Sequence, residues 1–202
     1  MNLFAAMTDK TLPSRFSWTN EPSEWSFEQA GTLTVHAPAR ADFFIDPALT
    51  SHRATAPFLF LDVQGDFTVR TRADVDMKDE ADSGCLMIMS NATTWAKLCL
   101  EHVYQQPTIV SVVTRDTSDD SNGQTLESAS VFLRASRRGN SFAFHYSQDG
   151  AFWRLARYFA LSVPETVRVG VVAQAPVGDG CRVSFRGFDL TDGPVVNLRS
   201  GE

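Results

Sequence analysis

The sequence predicts an all-β sandwich of two antiparallel sheets, and three observations carry that reading. Short runs rich in Val, Ile, Phe, Thr and Tyr recur roughly every 8 to 14 residues, each closed by Gly, Pro, Asn or Asp, which is the pattern of strands separated by turns. From Phe67 to Val75, the residues Phe67, Val69, Thr71, Ala73 and Val75 alternate with Thr68, Arg70, Arg72 and Asp74, so one face of that strand is dry and the other wet. No stretch of roughly twelve or more residues repeats apolar side chains at i, i+3, i+4 and i+7, so helices are limited to single turns. At 202 residues one sandwich accounts for the chain. Residues 16–192 are taken as the domain, 1–15 as a lead-in and 193–202 as a tail.

In chain order the expected strands are Thr32–His36, Phe58–Asp62, Phe67–Val75, Gly84–Met89, Trp95–Val103, Ile109–Arg115, Ala129–Arg137, Ser141–Ser147, Trp153–Phe159, Thr166–Ala173 and Cys181–Leu190. Leu86 to Met89 and Ile109 to Val113 are apolar on both faces, which suits central strands. Arg138-Gly139-Asn140 and Asp149-Gly150 supply hairpin turns between neighbouring runs. The polar stretch Asp116 to Gly123 is read as a loop.

Charge and cysteine usage exclude several classes. A net charge of -6 and a pI near 5.2, with no basic run, repel phosphate backbones, so no nucleic acid is expected. The opening MNLFAAMTDKTLP has no basic region followed by an apolar core, and no apolar run reaches membrane-spanning length, so a cytoplasmic protein with no membrane partner is expected. Cys85, Cys99 and Cys181 are too few and too scattered for a disulfide framework or a zinc site. Asp42, Asp46 and Asp62 form no dense ligand loop. No metal and no cofactor are expected.

The richest stretch for chemistry is Trp95 to Glu101. In a strand, Trp95, Lys97, Cys99 and Glu101 point to one side, and Ala96, Leu98 and Leu100 to the other. A Trp, a Lys and a Glu in a row form a surface that sugar rings can use, through stacking on the indole and hydrogen bonds from the charged ends. An exposed strand face with a weak ion pair is the plainer alternative. Ser147, Asp149, Gly150 and Trp153 are spaced as in the aspartate-box hairpin of sialidase propellers, where the Asp caps turn amides. Trp153 and Arg157 lie at even separation and are expected to share a face. Thr114, Ser118 and Asp119 gather hydroxyls and a carboxylate where loops border a cleft. The ligand-binding candidates are therefore Trp95, Lys97, Glu101, Thr114, Ser118, Asp119, Trp153 and Arg157. Glycoside hydrolysis needs two carboxylates about 5 to 10 Å apart, and no same-face Glu-x-Asp or Glu-x-Glu pair is present. Any catalytic role falls on Glu101, with a partner drawn from a loop.

Several short texts run in one order along the chain: Phe16-Ser17-Trp18 with Asn20-Glu21-Pro22, Asp42-Phe43-Phe44, Gly65-Asp66-Phe67, Ser83-Gly84, Trp95-Ala96-Lys97 with Glu101, Val113-Thr114 with Ser118-Asp119, and Tyr146-Ser147 with Asp149-Gly150 and Trp153. In these the chain resembles the bacterial and fungal family catalogued as domain of unknown function one-three-four-nine, whose fungal member is called a regulation-of-enolase protein. The resemblance implies a concanavalin A-like jelly roll with a concave cleft. Where relatives read Ser-Asp-Trp-Ser, this chain has Ser118-Asp119-Asp120-Ser121, which removes an aromatic stacking platform. The resemblance brings no reaction with it. Three functions follow in order: a carbohydrate or sugar-like metabolite bound in the cleft, a hydrolase or lyase acting on a sugar with Asp119 or Lys97 assisting Glu101, and an interaction protein whose partner is a metabolic enzyme.

Overall fold

The structure is a computed structural model that describes residues 1–28 and 31–202. Sixteen strands follow one another along the chain. The first eight are β1 (Ser17–Thr19), β2 (Trp25–Glu28), β3 (Thr32–Pro38), β4 (Phe43–Ile45), β5 (His52–Ala54), β6 (Phe58–Gln64), β7 (Phe67–Val75) and β8 (Ser83–Asn91). The rest are β9 (Thr94–Val103), β10 (Gln106–Arg115), β11 (Thr117–Thr125), β12 (Ser130–Arg138), β13 (Ser141–Ser147), β14 (Arg154–Ala160), β15 (Thr166–Gln174) and β16 (Gly180–Asp192). Among the described residues there is no helix.

The strands form two seven-stranded antiparallel sheets. The first runs β1-β6-β15-β8-β9-β10-β11 and the second β14-β13-β12-β7-β16-β3-β2. The pair β4-β5 forms a small third sheet. The apolar strand β8 sits mid-sheet, as its two-faced hydrophobicity predicts. Where β6 and β15 pair, Gly170 is obligatory, because any Cβ there would run into the Leu59 carbonyl.

All eleven expected strands are present, and the structure adds β1, β2, β4, β5 and β11. Four of these are three or four residues long, too short to show a period. The fifth corrects an expectation. Thr117–Thr125, which spans most of the polar stretch read as a loop, is a strand on the edge of the first sheet, paired with β10 from Arg115↔Thr117 to Thr108↔Thr125. An edge strand can be held by backbone pairing alone, so its polar side chains carry no hydrophobic alternation to betray it.

Two apolar clusters form. The larger lies between the sheets and takes Ala96, Leu98 and Leu100 from β9, with Leu133, Ala135, Phe142, Phe144 and Phe185 from the facing sheet. The smaller lies on the outer face of the first sheet, where Phe43 and Ile45 of the β4-β5 hairpin cover Met87, Trp95, Cys99 and Val112. Alternation along β9 therefore holds over its whole length, with a core on both sides.

Both termini join the domain. Phe4 is 0% exposed and stacks on Phe188 at 5.3 Å, with its edge to Phe27 at 5.2 Å. Leu3 N donates to the Phe188 carbonyl at 2.8 Å, and Phe188 N donates to Asn2 Oδ1 at 3.0 Å. At the other end, residues 193–202 lie over the second sheet, where Val195 N donates to Ser136 Oγ at 3.0 Å. Replacing Phe4 with Ala is expected to cost about 3–5 kcal/mol, read as a fall in urea midpoint with an unchanged slope. A cost near zero would show that the first fifteen residues are dispensable to the fold.

Candidate functional site

Cross-strand register defines what the outer face of the first sheet displays. Met87, Lys97, Val112 and Asp120 form one row across β8, β9, β10 and β11. Gln174, Ser83, Glu101 and Thr108 form another across β15, β8, β9 and β10. Between them lies an apolar row of Val172, Cys85, Cys99 and Val110. The polar ends of these rows, together with Asp42 at the start of the hairpin, surround a small cavity of about 110 Å³ lined by Asp42, Lys97, Glu101, Asp120 and Gln174.

Lys97 is the centre of this group. Its side chain is 3% exposed, and Nζ donates to the Phe43 carbonyl at 2.8 Å and to Gln174 Oε1 at 2.9 Å. Asp42 Oδ1 lies 3.8 Å from the same nitrogen. Gln174 Nε2 in turn donates to Asp42 Oδ1 at 3.2 Å and Ser83 Oγ at 3.3 Å. The ammonium is thus supplied with acceptors on the side facing the hairpin, as a buried cation requires.

Glu101 ends the row at the cavity. Burial pushes its carboxyl up to about 7, and the carboxylates of Asp42, Asp120 and Glu80 add to that against the opposing pull of Lys97. An acid poised near neutrality can give or accept a proton from a bound molecule. Cys99 offers no such chemistry, because burial and its contact with Cys85 push its thiol well up, away from the reactive thiolate.

The other predicted residues are distributed differently from the expectation. Trp95 is 1% exposed and meets the Phe43 ring edge-on at 6.2 Å, so the hairpin covers the indole that was expected to stack a sugar. The open cleft expected on this face is accordingly filled over much of its length. Thr114 and Ser118 are buried and bonded to each other at 2.9 Å, and Ser118 Oγ accepts from Ile45 N at 2.9 Å. They anchor the hairpin. Asp119 pairs opposite Val113, whose side chain belongs to the inter-sheet core, so it points away from the cavity. Asp120, one residue on, faces the cavity, across Val112 from Lys97. The expectation erred because a segment read as a loop has no parity to apply.

Trp153 and Arg157 do not share a face. A bulge in β14, where His145↔Leu155 gives way to Phe144↔Arg157, adds one residue and reverses the alternation. Arg157 reaches across to the first sheet, donating from Nη1 to the carbonyls of Ser111 at 3.3 Å and Asp119 at 3.0 Å and from Nη2 to Asp119 Oδ2 at 3.0 Å. Trp153 lies on the opposite side, under Arg134. In the hairpin before it, Asp149 Oδ1 accepts from Ser147 Oγ and from the amides of Ala151 and Phe152, each at 2.9 Å. Those bonds hold its carboxyl down to about 2, the signature of a turn cap.

The geometry thus unites Lys97 and Glu101 with Asp42, Asp120 and Gln174, which were not on the candidate list. Residues 18–193 match the family described as protein of unknown function (DUF1349). This chain belongs to that family. "Regulation of enolase protein 1" of Saccharomyces cerevisiae is 25% identical to this DUF1349 chain over 179 residues, covering 88% of it and 90% of the yeast protein. A crystal structure of a functionally unknown protein from Saccharomyces cerevisiae superposes with a TM-score of 0.83 at 24% identity, over 89% of this chain and 97% of that one. Xylan beta-1,4-xylosidase from Bacillus halodurans C-125 superposes with a TM-score of 0.72 at 16% identity, over 94% of this chain and 38% of the xylosidase. At these identities the structural likeness establishes the fold, a jelly roll shared with a glycosidase.

Because Glu101 keeps its proton to about 7 when folded and loses it near the ordinary 4.5 when unfolded, the stability it lends is full below pH 4.5 and drains away as pH rises through 7. Glu101→Gln is expected to remove that decline. Urea midpoints measured across this range should diverge in favour of the variant as pH rises, then run parallel above it. Curves parallel throughout would mean that Glu101 titrates normally.

Proposed function

We propose that this DUF1349 chain binds a small polyhydroxylated molecule, a carbohydrate or sugar-like metabolite, at Asp42, Lys97, Glu101, Asp120 and Gln174. The observation that carries the reading is the convergence, on one small cavity, of a buried ammonium with its amide partner and three carboxyl groups. Such a ring offers charged acceptors at short spacing, with the remaining N–H of Lys97 as a donor, which suits vicinal hydroxyls. The cavity is narrow, so it accommodates one ring or the end of a chain. The occurrence of the same fold within a xylan beta-1,4-xylosidase supports a sugar as the ligand class.

Glu101 supports a second reading, hydrolysis of a sugar substrate. A carboxylic acid raised to about 7 is suited to protonating a leaving oxygen, and Asp120 supplies the second carboxylate on the same face. In that reading Glu101→Gln lowers kcat by about a hundredfold to ten-thousandfold while leaving binding in place.

A thermal-shift screen of neutral sugars, sugar acids and sugar phosphates separates these outcomes. A ligand at about a hundred times its Kd is expected to raise the melting temperature by about 5–10 °C, and Asp120→Asn should abolish the rise while remaining folded. Chemical change in the hit, followed by chromatography, selects hydrolysis over binding. A flat screen across all three sugar classes overturns both.

A further inference from the structure

The outer face of the second sheet carries a cationic cluster that the proposed sugar pocket does not use. Arg134 of β12 and His145 of β13 are directly paired and buried, at 7% and 0% exposure. The Arg134 guanidinium lies 4.1 Å from the centre of the Trp153 ring, and among the described residues no carboxylate forms an ion pair with it. Its Nη2 donates to the Gly201 carbonyl at 2.7 Å, and His145 Nε2 lies 3.0 Å from the Leu198 carbonyl. Arg134 Nε and His145 Nδ1 have no hydrogen-bond partner among the described residues.

A buried cation is costly unless an anion or a full set of acceptors meets it. Arg134 has one carbonyl and an aromatic face. Burial, with the charge of Arg70, pushes its guanidinium down to about 10, and burial with the charge of Arg134 pushes His145 down to about 4. Both shifts report surroundings that lack negative charge. A cavity of about 440 Å³ is lined by Leu198, whose carbonyl meets His145, together with Arg138, Ser141, Tyr158, Asn197 and Arg199. Arg199 lies over the Tyr158 ring at 4.6 Å, and Arg138 is fixed by donation to the carbonyls of Val195 and Val196 at 3.2 and 3.0 Å. Neither arginine forms an ion pair within the described residues.

We propose that this face is a binding site for an oxyanion carried on a flat apolar body, and that residues 198–201 occupy its inner end in the free protein. Two carbonyl oxygens of the tail stand against Arg134 and His145, where the anion's oxygens would satisfy the fork of the guanidinium far better. Tyr158 offers the surface for the body of the ligand. Since the tail and the anion compete, the apparent affinity of the free protein is the intrinsic affinity reduced by the fraction of molecules with the tail released.

Gly201 provides the test. Its φ is +79°, and a Cβ there would collide with Arg134 Nη2 and come within 3.1 Å of His145 Cδ2, so Gly201→Ala parts the tail carbonyl from the guanidinium whichever of the two shifts. Phenyl phosphate is titrated calorimetrically into the full chain, with benzoate as a second arm. Saturable binding is expected in the unaltered protein, tighter by at least about tenfold in Gly201→Ala and weaker by at least about tenfold in Arg134→Gln, which removes the guanidinium fork. Leu198→Ala, which loosens the tail by removing a buried side chain, should give a gain of the same direction. Asp120→Asn, in the sugar pocket on the other sheet, should leave the titration unchanged, which keeps this site and the sugar reading separable. Tighter binding of phenyl phosphate assigns a phosphate, and tighter binding of benzoate a carboxylate. Absence of saturable binding by folded Gly201→Ala and Leu198→Ala, or an affinity unchanged by Arg134→Gln, overturns the site. Equal affinities with and without the tail-loosening changes overturn the competition.

Discussion

The buried ammonium of Lys97 organises the outer face of the first sheet. A charge cannot be left among Met87, Trp95 and Val112 without acceptors, and those acceptors come from two separate places in the chain. The Phe43 carbonyl and Asp42 lie at the start of the β4-β5 hairpin, and Gln174 ends β15. Satisfying one side chain therefore fixes where the hairpin lies, which apolar residues it shelters and which polar ends are left open as a cavity. Ser118, bonded to Ile45 N, holds the far end of the same hairpin. The charged site and the second apolar cluster are two results of one placement.

The fold was legible wherever a strand buries one face and wets the other. Phe67 to Val75 and Ser141 to Ser147 were bounded to the residue, and the alternation of Trp95 to Glu101 held because each face of β9 meets a different core. Legibility ended where backbone pairing alone makes a strand. Thr117–Thr125 has polar residues throughout and nothing in its composition marks it as extended, yet its register decides that Asp120, not Asp119, faces the cavity that Lys97 lines. The bulge in β14 acts in the same way, since one extra residue sends Arg157 to the opposite sheet and leaves Trp153 behind. Gln174 closes an apolar strand with a single polar residue, a weak signal on its own. Asp42 stood out in the sequence as an oxygen donor, but its partner lay far away along the chain.

The two faces of the sandwich solve opposite electrostatic problems. On the first sheet, burial, with the carboxylates of Asp42, Asp120 and Glu80 outlasting the pull of Lys97, drives Glu101 to hold its proton. On the second, no carboxylate among the described residues forms an ion pair with Arg134, and burial drives His145 to stay neutral. Both departures arise from burial, but the compensation differs: the Phe43 carbonyl, the Gln174 amide and the Asp42 carboxylate around Lys97 in one case, backbone carbonyls of residues 198–201 in the other. Side chains built into strands are permanent, whereas a tail held by a few hydrogen bonds can be exchanged.

The polar character of β11 has a consequence for how these molecules treat one another. An edge strand offers a free row of amide and carbonyl groups, and an apolar one invites a second copy to extend the sheet. Here the edge carries Asp119 and Asp120 side by side, flanked by Ser118, Ser121 and Asn122, and much of it is exposed. A like strand approaching antiparallel would bring carboxylates against carboxylates and strip water from both. At the opposite edge β1 has only three residues, too few to template a partner. The first sheet, although it presents seven strands, is thereby kept from growing into a fibre.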